Sequence, residues 1–262
     1  MQVELRDYIN DVARSVAFLS RIRVPGRYFE GHDGRLSVAV RAFPTAGVLI
    51  LLPAAALLAV LAMLGTPPYL SAFLVLAVQT LLTGALHEDG LSDAADGIGG
   101  GRDRESTLSI MKDSRVGSYG VVALVLSFGL RASALAAIMT ALSPIGSACA
   151  LLAVAAASRA AMVWHWQALP PARPDGVAAA AGQPERGAAQ AALVSGAAIV
   201  LLLLLPAAPL LGIASMVLAA AAAVFAFSDV VSDKIGGHTG DTIGASEQVA
   251  EIAALAALAL AL

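Results

Sequence analysis

Long apolar stretches alternate with short polar ones along the chain, and this pattern predicts membrane-spanning helices. A bilayer core about 30 Å thick takes about 20 apolar residues in helical form. Six stretches have this length, and we predict spans at Phe43 to Leu64, Tyr69 to Leu86, Tyr119 to Leu142, Ile145 to Trp164, Ala188 to Leu205 and Leu210 to Phe227. A last apolar stretch, residues 246–262, is short for a span, so a seventh helix stays open. The chain is therefore predicted to be an all-α, polytopic membrane bundle of six to seven transmembrane helices.

The connections between the predicted spans differ in charge on the two sides of the membrane. Proline-containing turns at Pro67-Pro68, Pro144 and Pro206 to Pro209 separate the members of each pair and carry no Lys or Arg. The basic residues fall on the opposite side, which the positive-inside tendency makes cytoplasmic. We therefore expect one multi-pass domain over residues 1–262, with cytoplasmic active-site loops at 87–118 and 228–247.

The N-terminal region, residues 1–42, shows a different periodicity. Its apolar residues recur at spacings of three and four, at Leu5, Ile9, Val12, Val16, Leu19 and Ile22. This spacing predicts an amphipathic helix that lies on the membrane surface or against the bundle. We assign it no role in chemistry.

Composition agrees with membrane insertion and narrows the partners. Hydrophobic residues make up 58% of the chain and charged residues 13%, whereas charged residues are roughly a quarter of a soluble domain. Membrane lipid is therefore an expected partner. The net charge is −3 and no basic-aromatic pattern occurs, so nucleic acid is not expected as a partner. Cys149 is the only cysteine, which excludes a disulfide or thiolate metal cluster within one chain.

The polar run from His87 to Gly97 is the strongest chemical signal. Asp89, Asp93 and Asp96 stand at i, i+4 and i+7, which places three carboxylates on one face of a helix. Like charges this close repel each other, and a hard cation such as Mg²⁺ would compensate them. The plainer alternative is a solvated acidic loop. Because the run directly continues a hydrophobic helix, we favour the functional interpretation.

Two further polar segments carry candidate ligands for phosphate. Lys112 and Arg115 flank Asp113, so cations suited to phosphate oxygens lie beside a possible metal ligand. The glycine-rich run from Gly236 to Gly244 has backbone N–H groups that could cradle phosphate. By the predicted topology it lies on the same side as the acidic run, so the two are candidate walls of one site.

Arg131 and Arg159 are charges inside apolar runs. Such residues face the bundle interior or extend to the interface, and in either place they can pair with carboxylates or with substrate. The sequence does not choose between these alternatives.

Three motifs in order resemble the cobalamin synthase family. They are His87-x-Asp89-Gly90-Leu91-x-Asp93-x-x-Asp96-Gly97, then Ile110-Met111-Lys112-Asp113-Ser114-Arg115-x-Gly117-x-x-Gly120, then Gly236-Gly237-x-Thr239-Gly240-Asp241-Thr242-x-Gly244. The resemblance extends to Phe18-Leu19-Ser20-Arg21-Ile22-x-Val24-Pro25 and departs from the family at Arg23, where a proline is usual, and at Glu88.

The resemblance implies an enzyme of the prokaryotic inner membrane that is a Mg²⁺-dependent adenosylcobinamide-GDP ribazoletransferase. Its substrates would be adenosylcobinamide-GDP and α-ribazole or α-ribazole 5′-phosphate, and GMP would leave. Phosphoryl transfer out of a diphosphate needs metal charge and a positioned nucleophile, which fits the acidic motifs.

These considerations assign roles to the motif residues. The expected metal ligands are Asp89, Asp93, Asp96, Asp113 and Asp241. The expected catalytic residues are His87, Asp89, Asp93, Asp96 and Asp241, with the general base either His87 or a carboxylate not saturated by metal. The expected substrate-binding residues are Lys112, Asp113, Ser114, Arg115, Gly236, Gly237, Thr239, Gly240 and Thr242.

Two other functions are alternatives to the transferase. A CDP-alcohol phosphotransferase also has an Asp-rich motif at the membrane face, but its Asp-Gly-x-x-Ala-Arg signature is not present. A secondary transporter would place paired ionisable residues at mid-membrane, and only Arg131 and Arg159 favour it. The oligomeric state is not fixed by the sequence, and a homo-oligomer stays open.

Overall fold

The computed structural model describes residues 5–174 and 176–262, and these residues form helices without strands. The helices are α1 (Leu5–Leu19), α2 (Phe43–Met63), α3 (Pro68–Thr83), α4 (Leu86–Gly100), α5 (Arg104–Met111), α6 (Ser118–Ala141), α7 (Pro144–Ala168), α8 (Val177–Ala181), α9 (Arg186–Leu204), α10 (Leu210–Ile235) and α11 (Gly240–Ala261). The prediction of an all-α, polytopic membrane bundle is confirmed.

Six helices among the described residues are long and apolar enough to cross a membrane: α2, α6, α7, α9, α10 and α11. Residues 246–261 belong to α11, which begins at Gly240 and is long and apolar enough for a span once residues 240–245 are included. Helices α3 and α4 meet the same criteria only as a pair, and the pair is bent by 91°.

The predicted second span, Tyr69 to Leu86, is wrong at its end because the helix stops at Thr83. Gly84 takes a left-handed conformation with φ of 68°, and Ala85 follows with φ of 59°. These two residues turn the chain into α4. Since α4 carries four carboxylates in 15 residues, we treat it as a helix at the membrane face and not as a span.

The segments predicted as loops, 87–118 and 228–247, are largely helical. The first contains α4 and α5, and the second contains the last two turns of α10 and the first two turns of α11. Helix α10 runs past Phe227 because no helix-breaking residue occurs before Gly236, which ends it in a left-handed conformation with φ of 72°. Polar side chains at the membrane face are therefore held on rigid helices.

Helix α1 packs against the bundle, as the amphipathic spacing of its apolar residues predicts. Val16 and Leu19 are buried, whereas Leu5 and Ile9, in its first half, are exposed. The Asp11 carboxylate forms an ion pair with the guanidinium of Arg41, which stands just before α2, and Oδ2 lies 2.6 Å from Nη2. This ion pair fixes α1 across the entry to the first span.

Charged side chains meet inside the bundle, and Arg131 of α6 is the first centre. Its Nη2 lies 3.1 Å from Oε1 of Glu88, and its Nη1 lies 3.3 Å from Oε1 of Glu251. The amide of Gln79 donates to both oxygens of Glu251, at 2.7 and 2.9 Å. The guanidinium also lies 4.9 Å from the centre of the Phe128 ring, a cation–π contact.

Arg159 of α7 is the second centre. Its Nη1 lies 2.6 Å from Oε1 of Glu247 and 3.8 Å from Oε2 of Glu251. The Ser158 hydroxyl donates to the same Glu247 oxygen at 2.8 Å. Both guanidinium groups are fully buried, so the pairing alternative predicted for Arg131 and Arg159 is the one that the structure contains.

We call Arg131, Arg159, Glu88, Glu247 and Glu251 the ion-pair network. Together with Gln79, it connects α3, α4, α6, α7 and α11. Charges in a low-dielectric interior are costly unless each is paired. The five helices are therefore held in the one relative placement that pairs these side chains.

Replacing Arg159 with Gln is expected to lower the free energy of unfolding by about 3–5 kcal/mol, because it leaves buried carboxylates without their cation. The double variant Arg159→Gln/Glu247→Gln should recover part of this loss. Thermal and denaturant unfolding in detergent measure both.

The matched control is Arg186→Gln, since Arg186 is exposed at the start of α9. It should change the free energy of unfolding by less than about 0.5 kcal/mol. Equal stability of the Arg159→Gln and Arg186→Gln proteins would show that the network does not hold the bundle together.

Candidate active site

Helices α4 and α11 touch through their backbones at Gly90. A Cβ atom added there would lie 2.7 Å from the carbonyl oxygen of Asp241 and 3.2 Å from Cα of Gly244. Only glycine permits this approach, which explains the glycine in each motif. The first and third motifs, far apart in sequence, therefore meet at one end of the bundle.

This contact brings three carboxylates together, and we call Asp89, Asp93 and Asp241 the carboxylate cluster. Asp89 is exposed, whereas Asp93 and Asp241 are half-buried. Partial burial is the main cause that raises the pKa of Asp93 to about 6. The charges that add to this shift are those of Asp89, Asp241 and Asp96. The negative charges therefore converge, as the acidic spacing predicts.

Asp96, an expected metal ligand, accepts two backbone hydrogen bonds from α6 and the residue before it. One of its carboxylate oxygens accepts the backbone N–H of Gly117 at 2.7 Å, and the other accepts that of Gly120 at 2.9 Å. These are amide groups at the start of α6 that have no partner inside the helix. The buried Asp96 therefore caps α6 and fixes α4 to it, and it is not an open ligand like Asp89.

Asp113 is also placed differently from expectation. Arg115 donates from Nε and Nη2 to its carboxylate, at 3.0 and 2.6 Å, in a surface turn after α5. These hydrogen bonds lower the pKa of Asp113 to about 2. Ser114 between them is exposed. Since Asp113 and Arg115 satisfy each other, the structure does not bring Asp113 into the carboxylate cluster.

The glycine-rich run serves mainly to shape the backbone. The N–H of His238 donates to the carbonyl of Pro170 at 2.8 Å, and the carbonyl of His238 accepts the N–H of Ala172 at 2.8 Å. A Cβ on Gly237 would strike the Pro170 carbonyl. These two backbone hydrogen bonds hold the run against the segment that follows α7.

Thr239 and Thr242 form a reciprocal cap at the start of α11. The Thr239 hydroxyl accepts the N–H of Thr242 at 3.2 Å, and the Thr242 hydroxyl accepts the N–H of Thr239 at 2.9 Å. Of the glycines predicted to bind substrate, Gly240 is exposed and borders open space. A ligand can approach Gly240 directly, and Gly236 at the end of α10 is exposed as well.

A cavity of about 270 Å³ opens on one side of Asp241, and we call it the cationic cavity. Lys112, Arg173, Thr239 and Gly240 line it. Arg173 Nη2 lies 3.7 Å from Oδ2 of Asp241. In the sequence Arg173 stands in a proline-containing loop without a motif, so no pattern marks it as a site residue.

A second cavity, of about 180 Å³, also borders Gly240 and Asp241 and has apolar walls. His87 and Asp89 border it at α4. His87 is buried, with Nδ1 3.7 Å from Oε2 of Glu247. His87 therefore lies between the carboxylate cluster and the ion-pair network.

The carboxylate cluster suits one mode of cation binding and not another. Among residues 5–174 and 176–262, no three His, Cys, Asp or Glu side chains form a ready cage for a metal ion. Mg²⁺ is usually held by one or two carboxylates and completes its shell with water and substrate phosphates. The donors in the cluster fit that open mode.

Gly120 offers a test of how α4 is held against α6. In Gly120→Ala the added methyl group would strike the Ser92 hydroxyl and the Asp96 carboxylate, so we expect a loss of about 1–3 kcal/mol in unfolding free energy. Gly129→Ala, on the same helix with open space around it, should leave stability unchanged or raise it by up to about 1 kcal/mol. Thermal unfolding compares the two, and equal losses would contradict the packing described.

Comparison with known proteins identifies the family of the chain. The family described as cobalamin-5-phosphate synthase matches residues 11–259. A protein named adenosylcobinamide-GDP ribazoletransferase from Rhizobium meliloti (strain 1021) is 60% identical over 99% of both chains. Proteins of the same name from Sinorhizobium medicae (strain WSM419) and Brucella anthropi are 59% identical over 99% of both chains, and 40% identical over 97% of this chain and 98% of the relative. No solved structure matches the chain. The chain belongs to the cobalamin-5-phosphate synthase family.

Proposed function

We propose that this protein transfers the phosphocobinamide group of adenosylcobinamide-GDP to α-ribazole or α-ribazole 5′-phosphate and releases GMP. The observation that carries the proposal is the meeting of α4 and α11 at Gly90, which gathers the acidic motif and Asp241 beside a cationic cavity. Relatives of nearly equal length bear the name of this activity.

The reaction balances without a further reactant. An α-ribazole hydroxyl oxygen forms a bond to the cobinamide-linked phosphorus, and the bond from that phosphorus to the bridging oxygen of the diphosphate breaks. The hydroxyl proton passes to a base, and GMP leaves with the bridging oxygen. The product is adenosylcobalamin, or its 5′-phosphate if the acceptor is phosphorylated.

The carboxylate cluster would hold Mg²⁺ through Asp89, Asp93 and Asp241. When bound, the ion would supply positive charge that neutralises the diphosphate oxygens. Asp89, the exposed member of the cluster, is the carboxylate most open to a substrate hydroxyl. We therefore assign Asp89 as the base that accepts the hydroxyl proton. His87 is the other candidate for the base, and we assign it a positioning role because its side chain is buried against Glu247.

The cationic cavity would hold the phosphate oxygens of the nucleotide. Lys112 and Arg173 supply positive charge from two separate segments, which suits a ligand with several anionic oxygens. The start of α11 at Gly240 adds backbone N–H groups and the positive end of the helix dipole. Asp241 lies at the boundary and would orient Arg173.

We place the protein in the inner membrane with the site on the cytoplasmic face. The support is the distribution of Arg and Lys, which is dense before α2 and around α5 and absent from the turns on the other side. Soluble nucleotide substrates would then reach the site directly from the cytoplasm.

The purified protein should release GMP from adenosylcobinamide-GDP only when α-ribazole is added. Measurement of GMP and of the corrinoid product by chromatography tests this. A CDP-alcohol phosphotransferase would instead consume a CDP-alcohol, and a transporter would release no GMP. Absence of α-ribazole-dependent GMP release from folded protein would overturn the proposal.

Asp93→Asn tests the cation site. The variant should lose about a hundredfold in transferase rate at ordinary Mg²⁺, equivalent to about 2.7 kcal/mol, because a ligand that shares the ion with the diphosphate is neutralised. Raising the Mg²⁺ concentration should recover part of the rate.

Asp229→Asn is the matched control, since it makes the same chemical change at an exposed position of α10. It should keep the wild-type rate. An Asp93→Asn protein that works near the wild-type rate at ordinary Mg²⁺ would remove Asp93 from the proposed metal site.

A further inference from the structure

The second cavity, which we call the aromatic cavity, lies between α1, α4, α7 and α11. Its apolar walls include Phe18, Leu86, Met162, Trp166 and Ile243. Its opposite wall is formed by Asp89, Gly90 and Asp241. An apolar space thus adjoins the carboxylate cluster directly, and nothing in the phosphate chemistry requires it.

Rigid aromatic rings shape this cavity. The Phe18 and Trp166 rings stack with centroids 6.4 Å apart and planes 24° apart. Phe43 lies behind both, 6.1 Å from Phe18 and 6.3 Å from Trp166. Trp166 is 1% exposed, so its ring is fixed by packing. Walls of this kind favour a flat aromatic ligand.

Two residues of the wall carry buried polar atoms without partners. Trp166 Nε1 and His87 Nε2 make no hydrogen bond among the described residues. A buried polar group left unpaired costs about 1–3 kcal/mol. A heteroaromatic ligand with a ring nitrogen supplies an acceptor that a hydrocarbon chain lacks.

The size of the aromatic cavity limits what fits. At about 180 Å³ it is smaller than the ~300–1,000 Å³ of pockets that enclose a whole drug-sized ligand. It has room for a ring system and not for a complete nucleotide. The cationic cavity, which shares Gly240 and Asp241 with it, provides the place for phosphate.

We infer that the aromatic cavity binds the benzimidazole ring of the acceptor nucleoside and that Trp166 determines specificity for it. This inference rests on the proposed function for the identity of the acceptor. With the ring in the cavity, the attached ribose lies at Asp89 and Asp241, where its hydroxyl must react. The nucleotide of the other substrate occupies the cationic cavity.

The chain contains two tryptophans, Trp164 and Trp166, which permits a direct binding test. Trp164 faces the other way, towards Phe225 of α10 at 6.1 Å between ring centroids. In the Trp164→Phe protein, α-ribazole and free benzimidazole should each quench the fluorescence of the remaining Trp166 saturably. In the Trp166→Phe protein, the fluorescence of the remaining Trp164 should show no saturable quenching. The same protein is the control for light that the ligand itself absorbs.

Ribose 5-phosphate and a short-chain lipid separate the possible occupants. Neither should quench Trp166, nor should either displace benzimidazole. Saturable quenching of the Trp166 fluorescence by the lipid, with none by benzimidazole, would overturn the inference and make the cavity a lipid site. Because this binding test needs no turnover, it can fail while α-ribazole-dependent GMP release succeeds, and the two proposals are then told apart.

Kinetics provide a second readout. Trp166→Phe should raise the KM for α-ribazole at least tenfold while the KM for adenosylcobinamide-GDP stays within twofold of wild type. Trp164→Phe should leave both unchanged. Equal rises in both KM values, or a fall in kcat with both KM values unchanged, would show that Trp166 supports the fold and does not contact the ring.

Discussion

The placement of the site depends on the ion-pair network inside the bundle. Two guanidinium groups face three carboxylates where no water competes for them, so the helices that carry them have little freedom to slide. Glu88 of α4 points to Arg131, and the next residue, Asp89, is exposed at the site. Helix α11 is anchored in the same way as α4, since Glu247 and Glu251 pair with the arginines. Asp241 stands about two turns nearer the membrane face. The network thereby sets the distance between the two walls of the site.

The resulting site has two compartments that meet at Asp241. On one side are Lys112 and Arg173, which suit phosphate oxygens, and on the other is the ring of Trp166. The aromatic compartment lies between the ends of spanning helices, where apolar side chains are already required for contact with the bundle interior. A transferase for water-soluble substrates can thus use the membrane-embedded part of its fold to bind an apolar ring.

The parts of this arrangement that the sequence predicts are those set by local pattern. Span length follows from the apolar runs, and the shared face of Asp89 and Asp93 follows from helical spacing. The features of the site that depend on contacts with other segments do not follow from the local pattern. Asp96 caps α6 because Gly117 and Gly120 come to it from 21 and 24 residues away, and its spacing resembles that of its neighbours. In the sequence Glu88 is only a departure from a motif, whereas in the structure it pairs with Arg131, 43 residues away. The charges at Arg131 and Arg159 were the available signal, but the choice of partners required the packing of five helices.

The central claim is that α4 and α11 hold Asp89 and Asp241 side by side at one membrane face. Since Cys149 is the only cysteine, a Cys149→Ser background allows the pair Asp89→Cys/Asp241→Cys to be treated with a short thiol cross-linker in native membranes. The account predicts rapid cross-linking within one chain and labelling of both positions by an impermeant reagent from the same side. Labelling of the two positions from opposite sides, with no cross-link, would contradict it.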